Sequence, residues 1–93
     1  MLTNPVIDNN GTQCWYLDGK YHRVDVPAVI DADGSQYLYL NDKRHRVDGP
    51  AAIYADGSQY WYLDDKEYNF KDFCVAAKIS YEDELILRLK YNC

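Results

Sequence analysis

The phrase HRVDVPA, from His22 to Ala28, is written again as HRVDGPA from His45 to Ala51, 23 residues later. At the next expected position the chain reads YNFKDFC, from Tyr68 to Cys74, so the phrase is missing there. Self-similarity at a fixed period is typical of repeat architectures, and it takes precedence over other interpretations of a sequence. The chain is therefore predicted to be a short array of like units, followed by a segment of another kind.

The signals within each unit are those of β-strands joined by tight turns. One turn contains Asp33-Gly34 and Asp56-Gly57, with Asn10-Gly11 in the same place, and such dipeptides favour hairpins. A second turn, followed each time by Lys, falls at Asp18-Gly19, Asn41-Asp42 and Asp64-Asp65. The Pro of the repeated phrase removes one backbone donor, so we expect the strand to be broken there. The predicted fold class is α+β, with an antiparallel β-meander of tandem hairpin repeats.

Strand alternation assigns the side chains to two faces. One face is predicted to form the core, and it holds Trp15, Leu17, Leu38, Leu40, Trp61 and Leu63. The other, which we call the Tyr face, holds Cys14, Tyr16, Tyr37, Tyr39, Tyr60 and Tyr62. Equivalent strands recur at roughly 10 Å in such a meander, so the tyrosines are expected to form rows.

The spacing of apolar residues changes after Asn69. Phe70, Phe73, Cys74 and Ala77 follow the helical i, i+3, i+4, i+7 pattern, with Asn69 as the expected N-cap. A second helix is predicted after Ser80, with an apolar side made of Leu85, Ile86 and Leu89. We therefore expect one domain over residues 1–93: a partial repeat strand at 1–10, repeats at 11–69, and a two-helix cap at 70–93. The cap replaces the third copy of the phrase and closes the end of the array.

The stretches WYLDGKYH and LYLNDKRH resemble the aromatic, turn, Lys-x-His core of MORN-type repeats, which are β-hairpin units of 23 residues. The repeated phrase is similar to a MORN-like variant with an HRxDGPA consensus that is associated with bacteriophage and bacterial proteins. The resemblance covers residues 11–69 and departs from the consensus at Val26, where Gly49 stands in the next unit. It implies a β-meander repeat fold and a role in binding or scaffolding. The phage association implies an action against host machinery, including host defence.

Composition and motifs argue against several classes of function. The net charge of −5 disfavours direct binding of nucleic acid or of an anionic membrane. Three widely spaced cysteines do not form a disulfide framework, and we expect a cytoplasmic protein. His22 and His45, each followed by Asp three residues later, lack a third ligand and are interpreted as structural. We expect no enzyme activity, no catalytic or metal-binding residue and no cofactor.

The sequence instead predicts a module that binds a protein partner with a basic surface, without direct contact to nucleic acid or membrane. The predicted contact residues are tyrosines of the Tyr face and acids of the turns, namely Tyr16, Tyr37, Tyr39, Tyr60, Tyr62, Asp31, Asp33, Asp56, Asp64, Asp65 and Glu67. The most specific hypothesis is a small acidic phage accessory protein, similar to an anti-CRISPR, that inhibits a host defence or nucleic-acid-processing complex. Two alternatives remain open: a structural module that self-assembles, for instance as a homodimer, and a metal-dependent hydrolase that uses the His and Asp of the repeated phrase. Whether the predicted helices cover the Tyr face also remains open.

Overall fold

The structure, a computed structural model, describes residues 5–93 as a meander of short antiparallel strands followed by two helices. The main sheet has the order β1-β2-β5-β6-β9-β10-β11, and β3-β4 and β7-β8 form separate pairs. The fold class is thus confirmed at the level of an α+β meander of hairpins with C-terminal helices. Residues 1–4 of the predicted partial repeat lie outside the described residues. The elements are β1 Val6–Ile7, β2 Gln13–Cys14, β3 Tyr16–Leu17, β4 Lys20–Tyr21, β5 Val29–Ile30, β6 Gln36–Tyr37, β7 Tyr39–Leu40, β8 Lys43–Arg44, β9 Ala52–Ile53, β10 Gln59–Leu63, β11 Lys66–Tyr68, α1 Phe70–Ala76 and α2 Tyr81–Tyr91.

The second turn of each unit has two central residues with positive φ. Asn41 and Asp42 have φ values of 52° and 67°, and Asp64 and Asp65 have values of 53° and 72°. Positive φ at both central positions is what the two-residue hairpin turn requires, and Asn and Asp tolerate it better than other residues with a Cβ. These turns therefore fix the register of the hairpins that they join.

The repeated histidine connects each unit to the next. The Nδ1 atom of His22 accepts a hydrogen bond from the backbone N–H of Asn41 at 3.1 Å, and Nδ1 of His45 accepts one from Asp64 at 2.9 Å. In both cases the donor lies in the tight turn of the following unit. The two copies of the phrase therefore have equivalent orientations, and their histidines act as hydrogen-bond acceptors between units.

The repeated arginine folds back over its own unit. The guanidinium carbon of Arg23 lies 3.8 Å from the centre of the Trp15 ring, and Nη1 donates to the Pro27 carbonyl at 3.2 Å. Arg46 repeats the bond to its own loop, with Nη1 donating to the Pro50 carbonyl at 3.1 Å. The repeated phrase thus forms a loop between two strands, where the Pro is predicted to break the strand. In the first unit the Arg of this loop covers Trp15.

The two loops differ where Gly49 is replaced by Val26. A Cβ at Gly49 would lie 2.7 Å from the guanidinium carbon of Arg46, so glycine allows Arg46 Nε to reach the Asp48 carboxylate at 2.9 Å. In the first unit Asp25 has a φ of 66°, and Nε of Arg23 is buried without a hydrogen-bond partner. We attribute this difference to the Cβ of Val26. In a loop closed by an Arg–Asp bond, as in the second unit, a Cβ at this position would overlap the guanidinium group.

The helices pack on the last hairpin. Asn69 caps α1 by accepting from the backbone N–H of Asp72 at 2.8 Å, and Ser80 caps α2 by accepting from Asp83 at 3.1 Å, as predicted. The buried cluster beneath them contains Trp61, Phe73, Cys74 and Leu87. Phe73 lies 4.8 Å from Trp61, ring centre to ring centre, and thus supplies in the third unit the cover that Arg23 gives to Trp15. Within residues 5–93, no helix has the length and apolar character needed to cross a membrane.

Two predictions about the core are wrong. Leu17 is predicted to lie on the core face, but it is 51% exposed because it lies at the end of a two-residue strand beside a turn. The predicted apolar side of α2 is also exposed, with Leu89 at 87%, whereas Leu87 is buried at 6%. The helix carries apolar residues on several of its sides. Packing against Trp61, rather than the periodicity, therefore decides which of them is buried. The exposed set is Leu85, Ile86 and Leu89.

Candidate protein-binding surface

The Tyr face is built by pairs across the tight turns. The register places Tyr16 opposite Tyr21, Tyr39 opposite Arg44 and Tyr62 opposite Glu67. Because these hairpins are stacked, the six side chains lie in one row across the units. The row is Tyr16, Tyr21, Tyr39, Arg44, Tyr62 and Glu67.

The first half of this row is aromatic. The rings of Tyr16 and Tyr21 have centroids 5.1 Å apart and are stacked, and Tyr21 and Tyr39 are also 5.1 Å apart with tilted planes. A hydrogen bond with Tyr21 is the largest factor that raises the pKa of Tyr16 to about 12. The three rings form a continuous aromatic surface, since each is in contact with a neighbour.

Arg44 occupies the centre of the row. Its Nε donates to the Tyr39 hydroxyl and its Nη1 to the Tyr62 hydroxyl, each at 3.3 Å. The guanidinium carbon also lies 5.2 Å from the Tyr62 ring centre and 5.9 Å from that of Tyr37. A single cation thus joins tyrosines of the second and third units and fixes their rings.

A second aromatic cluster lies towards the other row of turns. Tyr54 contacts Tyr37 at 5.6 Å and Tyr60 at 5.3 Å between ring centres, both with edge-to-face geometry. Burial is the main cause that raises the pKa of Tyr37 to about 12, and the negative charge of Asp31 adds to it. The predicted tyrosines therefore form two groups, joined through Arg44.

The helices leave the Tyr face uncovered. The residues packed under α1 and α2 surround Trp61, on the opposite face of the hairpin, and none of the five predicted tyrosines belongs to that group in residues 5–93. Tyr16 is 43% exposed and Tyr60 is 38% exposed, while the other three are half-buried. The question that the sequence leaves open is thereby answered.

The predicted acids lie in two rows of turns, and several use one carboxylate oxygen within the scaffold. Asp33 and Asp56 accept the backbone N–H groups of Ser35 and Ser58, which lowers the pKa of both carboxyls. Asp65 accepts the N–H of Arg44 at 3.3 Å across the unit boundary. The acids thus hold the turns in shape, and all three residues are exposed.

The other predicted acids are exposed or half-buried. Asp64 is paired only weakly, with Lys43 Nζ at 3.8 Å and both side chains mostly exposed. Glu67 lies opposite Tyr62, and Asp31 is half-buried beside Tyr37. Of the eleven predicted contact residues, the five tyrosines lie on the Tyr face and the six acids lie in or beside the two rows of turns.

Three residues of this surface were missed by the sequence reasoning, namely Tyr21, Arg44 and Tyr54. A two-residue turn at Asp18-Gly19 already implies that Tyr21 faces Tyr16, so the signal was present in the hairpin register. Tyr54 lies diagonal to Tyr60 in the hairpin around Asp56-Gly57, so the register of that hairpin carries a signal for it as well.

The repeated His and Asp do not come together with further ligands. Among residues 5–93, no group of three His, Cys, Asp or Glu side chains is placed to hold a metal ion. No protein-family model, curated protein or solved structure matches the chain in comparisons with known proteins.

Proposed function

We propose that the chain is a non-enzymatic protein-binding module whose contact surface is the Tyr face with its flanking acidic turns. The observation that carries this proposal is that the helices bury Trp61 and leave the tyrosines accessible on pre-formed strands. Tyrosine is enriched in binding surfaces, because its large ring loses little conformational entropy on binding and its hydroxyl can donate or accept. Rings that are already fixed, such as Tyr39 beside Arg44, lower that cost further.

The charge of the chain supports a partner with a basic surface. Asp33 and Asp56 have lowered pKa values, so both are ionised at neutral pH, and the net charge is −5. Opposite potentials accelerate association and select among partners. The tyrosines would then contribute most of the contact area, and the acids would orient the encounter.

The narrower proposal is that of a MORN-like phage accessory protein that acts in the cytoplasm of the host cell. It would inhibit a host defence or nucleic-acid-processing complex by occupying a basic surface, as an anti-CRISPR does. Its support is the resemblance of residues 11–69 to the HRxDGPA variant, together with small size and negative charge.

The general proposal is tested with two sets of variants that have the same chemistry. Tyr16→Ser and Tyr60→Ser alter the Tyr face, whereas Tyr81→Ser alters a tyrosine on α2 that is 75% exposed. A partner isolated with the wild-type chain is purified, and its dissociation constant is measured for each variant. We expect each Tyr-face variant to weaken binding by about tenfold, as loss of an aromatic anchor does, and the control to change little.

Two results would contradict this. Equal affinity of the Tyr-face variants and the wild type would exclude the face, and affinity that does not fall at high salt would exclude the acidic turns. For the narrower proposal, the chain is expressed in a bacterium whose CRISPR–Cas system blocks a phage. Unchanged protection of the bacterium, tested across the CRISPR–Cas types, would rule that version out.

A second candidate function is self-assembly. It is favoured by the exposed apolar strand β1, in which Val6 is 59% and Ile7 is 63% exposed. Exposed strand edges with apolar side chains are ready to pair with another chain.

A further inference from the structure

The sheet has a free strand edge at each end of the array. At one end, β1 pairs with β2 and has no strand on its outer side within the described residues. At the other end, β11 pairs with Trp61, Tyr62 and Leu63 of β10 only, so the adjacent Gln59 and Tyr60 pair with β9 alone. The chain turns into α1 just where a further strand would have covered those two residues, so the helices do not close this edge as the sequence predicts.

The repeat shows which strand each edge accepts. Val6 faces Cys14, as Val29 faces Tyr37 one unit later, so β1 occupies the same place in the array as β5 and β9. On its other side β5 pairs with β2, where Val29 faces Cys14 and Ile30 faces Gln13. The outer edge of β1 therefore matches a strand of the β2, β6 and β10 type.

The outer edge of β10 has the reciprocal preference. The preceding strand of its type, β6, places Tyr37 opposite Ala52 and Gln36 opposite Ile53 of β9. The equivalents of Tyr37 and Gln36 are Tyr60 and Gln59. Their vacant edge thus matches a strand of the β1, β5 and β9 type.

Burial along the array agrees with this assignment. Val29, which has a strand on each side, is 8% exposed, whereas the equivalent Val6 is 59% exposed. At the other end, Tyr60 is 38% exposed, whereas its equivalents Cys14 and Tyr37 are buried and half-buried. Positions that are buried or half-buried inside the array are thus exposed where the same position occurs at an end of the array.

Pro5 is compatible with the outer pairing. Its equivalents Ala28 and Ala51 use their carbonyls to accept from Trp15 and Leu38, on the preceding strand of their own unit, at 2.8 and 2.7 Å. Their N–H groups point the other way, to the following unit. A proline at this position loses only the inward donor and keeps the outward carbonyl that a preceding strand would use.

There is also space beside the β10 edge. A groove of about 350 Å³ lies between Gln59 and Trp61 on one side and the last residues of α2 on the other. The β11 edge differs, since Lys66 and Glu67 are charged and exposed, which is a common protection against pairing.

We infer that two copies of this chain associate head to tail, with β1 of one copy paired antiparallel to Gln59–Tyr60 of the other. The register places Val6 opposite Tyr60 and Ile7 opposite Gln59. The junction repeats the residue pairing by which β2 and β6 accept β5 and β9 within the chain. It gives the self-assembly function a defined interface, and it does not depend on the proposal for the Tyr face.

Such a contact is heterologous, so each added copy leaves one edge of each kind free. The ladder is as short as each internal one, two residues on each side, so association is expected to be reversible and concentration-dependent. It should produce chains of increasing length rather than a closed dimer.

Charge pairs at the predicted register provide the test. The double variant Ile7→Lys with Gln59→Lys places like charges opposite one another at every junction, whereas Ile7→Lys with Gln59→Glu places opposite charges there. Light scattering and sedimentation are measured from micromolar concentration to about 1 mM, the range in which short interfaces associate. We expect the Lys/Glu protein to associate with a dissociation constant about tenfold lower than that of the Lys/Lys protein, as directly opposed charges do in sheets. Circular dichroism verifies that both proteins fold.

A mixing experiment tests the direction of the contact. The single variants Ile7→Lys and Gln59→Glu should associate with each other more tightly than either associates with itself, and high salt should remove the difference. Leu89→Lys, on the exposed side of α2, should leave association unchanged.

Three results would overturn the inference. They are a wild-type chain that stays strictly monomeric over the whole range, equal association of the Lys/Lys and Lys/Glu proteins, and association abolished by Leu89→Lys. A strict monomer would leave the Tyr-face proposal intact, because that surface needs no second copy.

Discussion

Removal of the His45 imidazole tests the link between units directly. Nδ1 of His45 accepts the backbone N–H of Asp64 at 2.9 Å, and this bond connects the second unit to the turn of the third. A neutral hydrogen bond of this kind contributes about 1 kcal/mol to folding stability. His45→Ala should therefore lower the free energy of unfolding by about 1 kcal/mol, or the melting temperature by about 4–8 °C in a domain of this size.

His45→Asn is the matched variant. The side-chain oxygen of Asn lies two bonds beyond Cβ, as Nδ1 does, so it can accept the same N–H group. We expect His45→Asn to keep most of the stability that His45→Ala loses. His22→Ala should show the same loss as His45→Ala, because its bond to Asn41 is equivalent.

The measurement is urea denaturation followed by circular dichroism, with the melting temperature as a second readout. The double variant His22→Ala with His45→Ala should lose about the sum of the two single values, since the two bonds lie at different junctions. If His45→Asn were as unstable as His45→Ala, the acceptor would have no role. Losses below about 0.3 kcal/mol, which is within the usual scatter of surface substitutions, would refute the reasoning as well.

Three further predictions concern the loop, a tyrosine and the thiols. Gly49→Val should destabilise the fold by about 1 kcal/mol in urea denaturation, because its Cβ would displace the Tyr91 hydroxyl and the Arg46 guanidinium, each 2.7 Å away, and Arg46 would lose its bond to Asp48. Since the pKa of Tyr37 is raised to about 12 from 10.0, folding stability should be unaffected by this group below pH 10 and should fall between pH 10 and 12, and Tyr37→Phe should reduce that fall in denaturation at each pH. In a thiol-labelling assay, Cys93 should react in the native protein and the two buried cysteines only after unfolding; equal rates for all three would show that the described burial is wrong.

The local features of the fold could be predicted because short-range geometry decides them. The turns at Asn41-Asp42 and Asp64-Asp65 need residues that tolerate positive φ, and the caps Asn69 and Ser80 need a side-chain acceptor. These requirements are written in a few consecutive residues, so one sequence is sufficient to find them.

The choice of the buried helix face could not be predicted. Apolar residues occur at four of the five positions from Leu85 to Leu89, so periodicity selects no side of α2. Packing against Trp61, more than 20 residues earlier in the chain, decides that Leu87 is buried. The contact of Arg23 with the Trp15 ring could not be predicted for a similar reason, because a cation–π contact produces no periodic pattern in the sequence.

The sequence predicts the five tyrosines of the candidate surface, but it does not predict the residues that contact them. Alternation along one strand identifies Tyr39 and Tyr62, but Arg44 enters only when the strands are placed side by side. Hairpin registers, considered in addition to single strands, would have identified it.

The bonds from each histidine to the following turn join adjacent units only, and the helices rest on the last hairpin and on Gly49 of the unit before it. The length of the array can therefore be changed by whole repeat units. Insertion of a second copy of residues 34–56 directly after Asp56 would preserve both the junction and the seat of the helices. It would lengthen the molecule by roughly 10 Å, which is two strand spacings. Repeated insertions would give a series of proteins that differ only in the length of the array.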